Sequence, residues 1–352
     1  MGRPSWRAWG ALCSSVVALC IIRAYLPVVV ERRVAAALAR NERYAGSFDD
    51  VDVSVLRLSY TIENLRLVKR NGRVPVPFVI APRVVYALDK GALLRGGLLG
   101  TIAFSSPAVN LVDGPTPEDR QGPTGVDWRI TLRRLFPTSV NRIEIRDGTL
   151  HFRNFHTKPA VDVYLGHIEL GASNVPSRGP VTHGTIDLHG SGVPMNTGTV
   201  EAWLQLIPNT RRPSFDGKLL LEHVHLAEWN SLLRAYAGLD VEGGTSGLDS
   251  ALESRNGQIE GYVNASVADM DALKFPHELS LQSISESLRG TLLTAVLEVL
   301  EGPNENVAMF HVPISGTVDR PQSDYWTGVR SLLENAFFAA RKSGFQKDSA
   351  TH

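Results

Sequence analysis

A mainly β fold is predicted, with an N-terminal transmembrane helix leading into a long, curved, mostly antiparallel sheet that is groove-like or partly closed and carries a few amphipathic helices. Three observations predict it. The first thirty residues hold an apolar run of membrane-spanning length. Apolar and polar residues then alternate with a period of two through most of the chain, and stretches with helical spacing are few.

Arg3 and Arg7 give the chain a basic start, and Trp6 and Trp9 stand where an interfacial belt would place them. From Ala8 to Val30 the only charge is Arg23 and the only strong helix breaker is Pro27. That is roughly twenty apolar residues, the length a bilayer core requires of one helix. The nearest small-x-small site, Ala35-Ala36-Ala37, lies beyond Glu31, Arg32 and Arg33, which favours an uncleaved signal anchor over a removed peptide. Leu19 before Cys20 argues against lipoprotein processing. Arg3 and Arg7 favour an inside N-terminus, whereas Arg23, Arg32, Arg33 and Arg40 pull the other way, so charge alone leaves the topology undecided.

Val34 to Arg40 continues as helix and stops by the Gly46 turn. Strand signals follow. In Phe48–Val55, Val51, Val53 and Val55 share one face against Asp50, Asp52 and Ser54 on the other. Tyr60–Val68 follows and ends at the turn Asn71-Gly72. Arg142–Arg153 reads as a hairpin, its Asp147-Gly148 pair favouring positive φ and its two arms alternating. Further strands are predicted over Val161–Leu170, Thr182–Leu188, Thr199–Ile207, Gly217–Val224, Gln258–Val267 and Val307–Val318. Gly114–Pro123 is the clearest flexible loop, and Gly243–Gly247 is also read as loop. Helical spacing appears over Leu226–Ala237, Ser283–Leu300 and Tyr325–Arg341. The domain division is therefore an anchor (1–30), a β-rich body (31–322) with a sub-boundary in the loop 114–123, and a C-terminal amphipathic helix with its tail (323–352).

The 352 residues suffice for a substantial core, and equal numbers of acidic and basic residues leave no net field to attract nucleic acid. The short basic clusters Arg129–Arg134 and Arg211–Arg212 read as solvated faces. Cys13 and Cys20, the only cysteines, lie inside the apolar run, so the body has neither a disulfide nor a cysteine metal site. The chain lacks a phosphate loop, a G-x-S-x-G elbow and an H-E-x-x-H pair. His223 and His225 could share a strand face, with His183 and His189 as other partners, but no further ligand has suitable spacing. Asp49, Asp50 and Asp52 lack the glycine and distant glutamate of a calcium loop. No catalytic residue, metal or cofactor is expected, and the chain is not read as an enzyme. In the last helix Trp326, Val329, Leu333 and Phe337 form an apolar stripe that packs on the sheet or lies on a membrane or partner.

Several segments resemble the AsmA-like proteins of Gram-negative envelopes, relatives of TamB, and within them a branch long labelled a domain of unknown function. These are Tyr44–Ser54, Tyr60–Leu67, Val76-Pro77-Phe78, Ser106-Pro107, Asp147-Gly148, Leu232–Tyr236 leading to Asp240-Val241-Glu242, and Ile314–Pro321 followed by Asn335-Ala336-Phe337. The resemblance implies a single-pass protein of the bacterial inner membrane with its body in the periplasm. It also implies an apolar β-groove that handles phospholipid or maintains the outer membrane. Its partners would be the membrane, phospholipid acyl chains, and an envelope protein or a second copy of the chain. Roughly fifteen strands at about 4.8 Å each span about 70 Å at most, short of an envelope-wide bridge by one monomer. The lining candidates are alternating apolar residues: Val51, Val53, Val55, Ile143, Ile145, Leu150 and Phe152. The alternative is a closed β domain that serves as a scaffold or assembly factor and binds a protein partner.

Overall fold

Alternation becomes strand through most of the described body. The computed structural model of the chain describes residues 25–41, 43–70, 72–122, 139–175, 185–207, 214–237, 240–269, 273–274 and 307–317. Its strands are β1 (Tyr44–Ser47), β2 (Asp50–Ser54), β3 (Ser59–Lys69), β4 (Val79–Leu88), β5 (Leu99–Ser105), β6 (Ala108–Asp113), β7 (Ser139–Asn154) and β8 (Val161–Ser173). The second half supplies β9 (Ile186–Pro194), β10 (Thr199–Ile207), β11 (Ser214–His225), β12 (Asp240–Val241), β13 (Thr245–Arg255), β14 (Gln258–Ala268), β15 (Leu273–Lys274) and β16 (Val307–Thr317).

Fourteen strands form one sheet in the order β1-β3-β4-β5-β7-β8-β9-β10-β11-β13-β14-β16, with β2 beside β3 and β6 between β4 and β7. β12 and β15 pair separately. The sheet is mixed, because β7 runs parallel to both β5 and β6. From β7 onward each strand of the sheet pairs antiparallel with the next, as a meander.

The fold class expected from the sequence is corrected at its N-terminus. Among the described residues no helix is long and apolar enough to cross a membrane. The first helix, α1, covers 25–39, only 15 residues, and holds Glu31, Arg32 and Arg33. Its second half packs on the sheet, where Val34, Ala37 and Leu38 join Tyr44, Ile62, Leu65, Val84, Tyr86 and Ile102 in the main core, while Tyr25, Val28 and Val29 stay exposed. The rest of the predicted span, residues 1–24, lies outside the described residues, as do Ser283–Leu300 and Tyr325–Arg341.

Gly46 lets α1 settle on β1. A Cβ there would stand 2.7 Å from Leu38 Cδ2 and 2.8 Å from Leu38 Cβ. Gly46→Ala is expected to lower stability by about 1–3 kcal/mol through overpacking, read as a lower denaturant midpoint with an unchanged m-value.

Two sequence expectations give way. Gly114–Pro123 is not free chain as far as it is described. The Lys69 ammonium donates to the carbonyls of Pro117, Glu118 and Arg120, and Tyr44 Oη donates to the Gly122 carbonyl at 2.8 Å. Burial, with Arg43 nearby, pulls the Lys69 pKa below its ordinary value. Asp147-Gly148 makes no hairpin either, because β7 runs unbroken for 16 residues through it.

Asp147 instead belongs to a crease that crosses six neighbouring strand lines, β1 with β2, β3, β4, β5 with β6, β7 and β8. Asn64, Ser106, Asp147 and His167 all have positive φ, between 46° and 54°. Asn64 Nδ2 donates to Asp49 Oδ2 on β2's side, and Pro82 stands opposite Asn64 on β4. Ser106 Oγ donates to Asp147 Oδ2, His167 Nδ1 meets Asp147 Oδ1 at 3.0 Å, and the Asp147 N–H donates to Glu169 Oε1. Along this line successive core-facing residues are three apart instead of two: Phe48 and Val51, Ile62 and Leu65, Ala81 and Val84, Phe104 and Pro107, Ile145 and Gly148, Leu165 and Ile168. An extra residue reverses the alternation of a strand. Because every strand from β1 to β8 reverses together, a single apolar face survives on both sides of the line. At β9 the offset is absorbed as a register shift between Gly166 and Glu169.

Candidate functional site

Past β7 the apolar face continues, and away from the segment Leu226–Ala237 no described element covers it. Ile143 and Ile145 on β7 sit opposite Ala172 and Leu170 on β8. Leu188 on β9 and Leu204 on β10 extend the row, and Gly217 and Leu252 carry it through β11 and β13. Its last described side chains, Ile259 and Ile314, are buried against Leu252 and Val263. Along β10 the two faces differ consistently. Val200, Ala202, Leu204 and Leu206 are half-buried, while Glu201, Trp203, Gln205 and Ile207 are exposed. On β11, Leu219 stays 37% exposed although it belongs to the apolar side.

One end of this face is closed. Leu226–Ala237 was expected to be helical, and it is, as a 3₁₀ turn (Leu226–Trp229), a short α turn (Asn230–Leu232) and a π turn (Leu233–Ala237). It leaves β11 and reaches back across roughly three strand spacings, about 14 Å, to lie against β8. Asn230 fixes its start by clasping both backbone groups of Val241. Arg234 holds both Asp240 oxygens at 2.7 Å. Tyr236 fixes its end: its hydroxyl donates to Asp113 Oδ2 at 2.7 Å and accepts from Asn154 Nδ2 at 2.9 Å. Burial, reinforced by the Asp113 carboxylate, pushes the Tyr236 phenol above its ordinary pKa, so the hydroxyl stays a donor. The Tyr236 ring lies 5.9 Å from that of Phe152.

The seven predicted lining residues therefore separate into three places. Ile143 and Ile145 stand on the open apolar face, although Ile143 also touches the edge of the main core. Leu150 and Phe152 share that face beyond the crease, where the helical strap closes it. Val51 is sealed in the core under α1, Val53 packs against that core, and Val55 lies in the turn after β2. Trp326, Val329, Leu333 and Phe337 lie outside the described residues, as do His183, Arg129–Arg134 and Arg211–Arg212.

Sequence reasoning missed Leu170, Leu188, Leu204, Leu219 and Leu252. Their signal was present as alternation, but β13 was obscured because Gly243–Gly247 reads as loop while the strand already begins at Thr245. His223 has a φ of 55° at a register shift between Leu221 and Val224, and this irregular backbone carries it and His225. Among the described residues no group of three His, Cys, Asp or Glu is placed to hold a metal ion. No protein-family model matches the chain, and no curated protein matches it.

Proposed function

We propose that this chain is a non-enzymatic lipid-handling protein of the AsmA-like kind, acting in the bacterial envelope with its body in the periplasm, and that phospholipid acyl chains lie against the apolar face running from β7 to β16. The observation that carries the reading is the continuity of that face through the meander, with half-buried leucines that no described element covers beyond the strap at one end. An acyl chain laid there leaves water at about 0.8 kcal/mol per buried CH₂. A surface of alternating aliphatic side chains offers no fixed polar contact along its length, so a bound chain can slide. The strap at Tyr236 supplies a closed end.

Purified protein is expected to carry phospholipid, detected by mass spectrometry of an organic extract. A photo-crosslinking residue at Ile145 is expected to capture it, and one at Val51, beneath α1, is not. Lipid-free protein with no adduct at Ile145 would overturn the reading in favour of a scaffold that binds a protein partner.

A further inference from the structure

The opposite face of the same strands carries a second surface. An open trough of about 1060 Å³ crosses the sheet from β7 to β14. Ala172, Leu188, Leu204, Gly217, Leu252 and Gly261 form one directly paired row through it. Their side chains belong to the apolar face, so this row gives the trough only its backbone floor. The rows on either side raise two walls of different chemistry.

One wall is aromatic. His189 and Trp203 stack at 5.4 Å between ring centres, and Trp203 remains 39% exposed. Tyr262, about three strand spacings or 14 Å further along, is held flat by His311 at 5.9 Å. The facing wall is made of carboxylates and an amide. Gln205 Nε2 donates to Asp187 Oδ1 at 3.0 Å, which fixes both groups. Asn174 holds the other Asp187 oxygen at 3.1 Å. Asp216 and Glu253 share the guanidinium of Arg255 at 3.0 and 2.7 Å, and Glu260 continues the row opposite Glu253. Arg142 and Lys218 bring further positive charge to the lining.

Arg142, Lys218 and the Arg255 guanidinium offset three of the four carboxylates, which leaves a small negative excess. The trough offers flat π-faces along one side and pre-oriented acceptors along the other. The complementary ligand has apolar ring faces and a rim of hydroxyl donors. We propose that the trough binds a neutral oligosaccharide, its rings stacked on Trp203 and Tyr262 and its hydroxyls donating to Asp187, Gln205 and Glu260. The separation of the two rings requires several sugar units, and a monosaccharide meets only one of them. The trough lies on the face opposite the proposed acyl-chain row, so this site stands independently of the lipid-handling reading.

The test titrates the purified full chain with N,N′,N″,N‴-tetraacetylchitotetraose and with maltotetraose, followed by tryptophan fluorescence and calorimetry. Saturable binding of at least one is expected, weakened at least about tenfold by Trp203→Ala and several-fold by Gln205→Ala. Neither substitution is expected to change recovery of phospholipid, so failure of one site is distinguishable from failure of the other. Should Trp203→Ala melt early, Gln205→Ala carries the same readout without touching the aromatic wall. Failure of both tetrasaccharides to bind, or equal affinity in the wild type and the folded variants, would overturn the proposal. Saturable binding of tetralysine in their place would overturn it in favour of a cationic ligand.

Discussion

Leu204→Glu is expected to strip phospholipid from the purified protein by at least about tenfold while leaving the sheet folded. Leu204 sits mid-strand in β10, half-buried, with Leu188 beside it on β9 and Gly217 on β11. A carboxylate there must either stay hydrated, which keeps water on the apolar row, or be buried next to an acyl chain. Each 1.4 kcal/mol lost is a factor of ten in binding, and an unpaired charge against hydrocarbon costs more than that. The position is not sealed, so the folded protein can turn the carboxylate toward solvent, and the stability cost stays at about 1–2 kcal/mol. Trp203→Glu, one residue away on the other face, is the matched control. It adds the same charge to the same strand and is expected to leave lipid recovery unchanged. Undiminished lipid on a folded Leu204→Glu protein would remove the apolar face from consideration.

Deleting Asp147 is expected to do far more damage than replacing it. Gly148, Leu150 and Phe152 keep to the apolar face only because β7 takes a three-residue step at the crease. Without that residue, either these side chains or Ile143 and Ile145 turn to the polar side, and register with β6 or β5 is lost. The deletion is expected to cost more than about 4 kcal/mol and abolish the cooperative unfolding transition. Asp147→Gly keeps the residue count and tolerates the φ of 53°, losing only exposed hydrogen bonds to Ser106 and His167. Its cost is expected to stay within about 1 kcal/mol. Circular dichroism melts of the two variants side by side check this, and a deletion variant that melts like the wild type would refute the account of the crease.

Most of the strand content was legible because alternation is a local signal. Thr199–Ile207 was read with both ends correct, and Gln258–Val267 with one residue missing. The helical strap was legible from the spacing of Leu226, Trp229, Leu232, Leu233 and Tyr236. Asp147-Gly148 misled because a residue with positive φ serves a tight turn and a bulge equally well, and only the pairing partner decides between them. The parallel pairing of β7 with β5 and β6 had no local trace at all, since it joins segments separated by a long connection. Val51 and Val53 were rightly placed on an apolar face. That the cover is α1 and not lipid depends on Gly46 admitting Leu38, a contact between residues that no period-two pattern connects. The apolar run Ala8–Val30 suggested a transmembrane helix, but its described part belongs to a 15-residue helix that carries Glu31, Arg32 and Arg33 and packs Val34, Ala37 and Leu38 on the sheet.

The meander beyond β7 has a consequence for size. Each strand there answers mainly to its two flanking strands, as units do in a linear array, so stability accumulates link by link. Such a ribbon is extensible beyond β11, past the strap: inserting or removing a hairpin there changes its length by about 9–10 Å without disturbing the contacts of Tyr236 with Asp113 and Asn154. The carrying length of this protein is thus a modular quantity, set by the number of hairpins and separable from the α1-sealed block that starts the sheet.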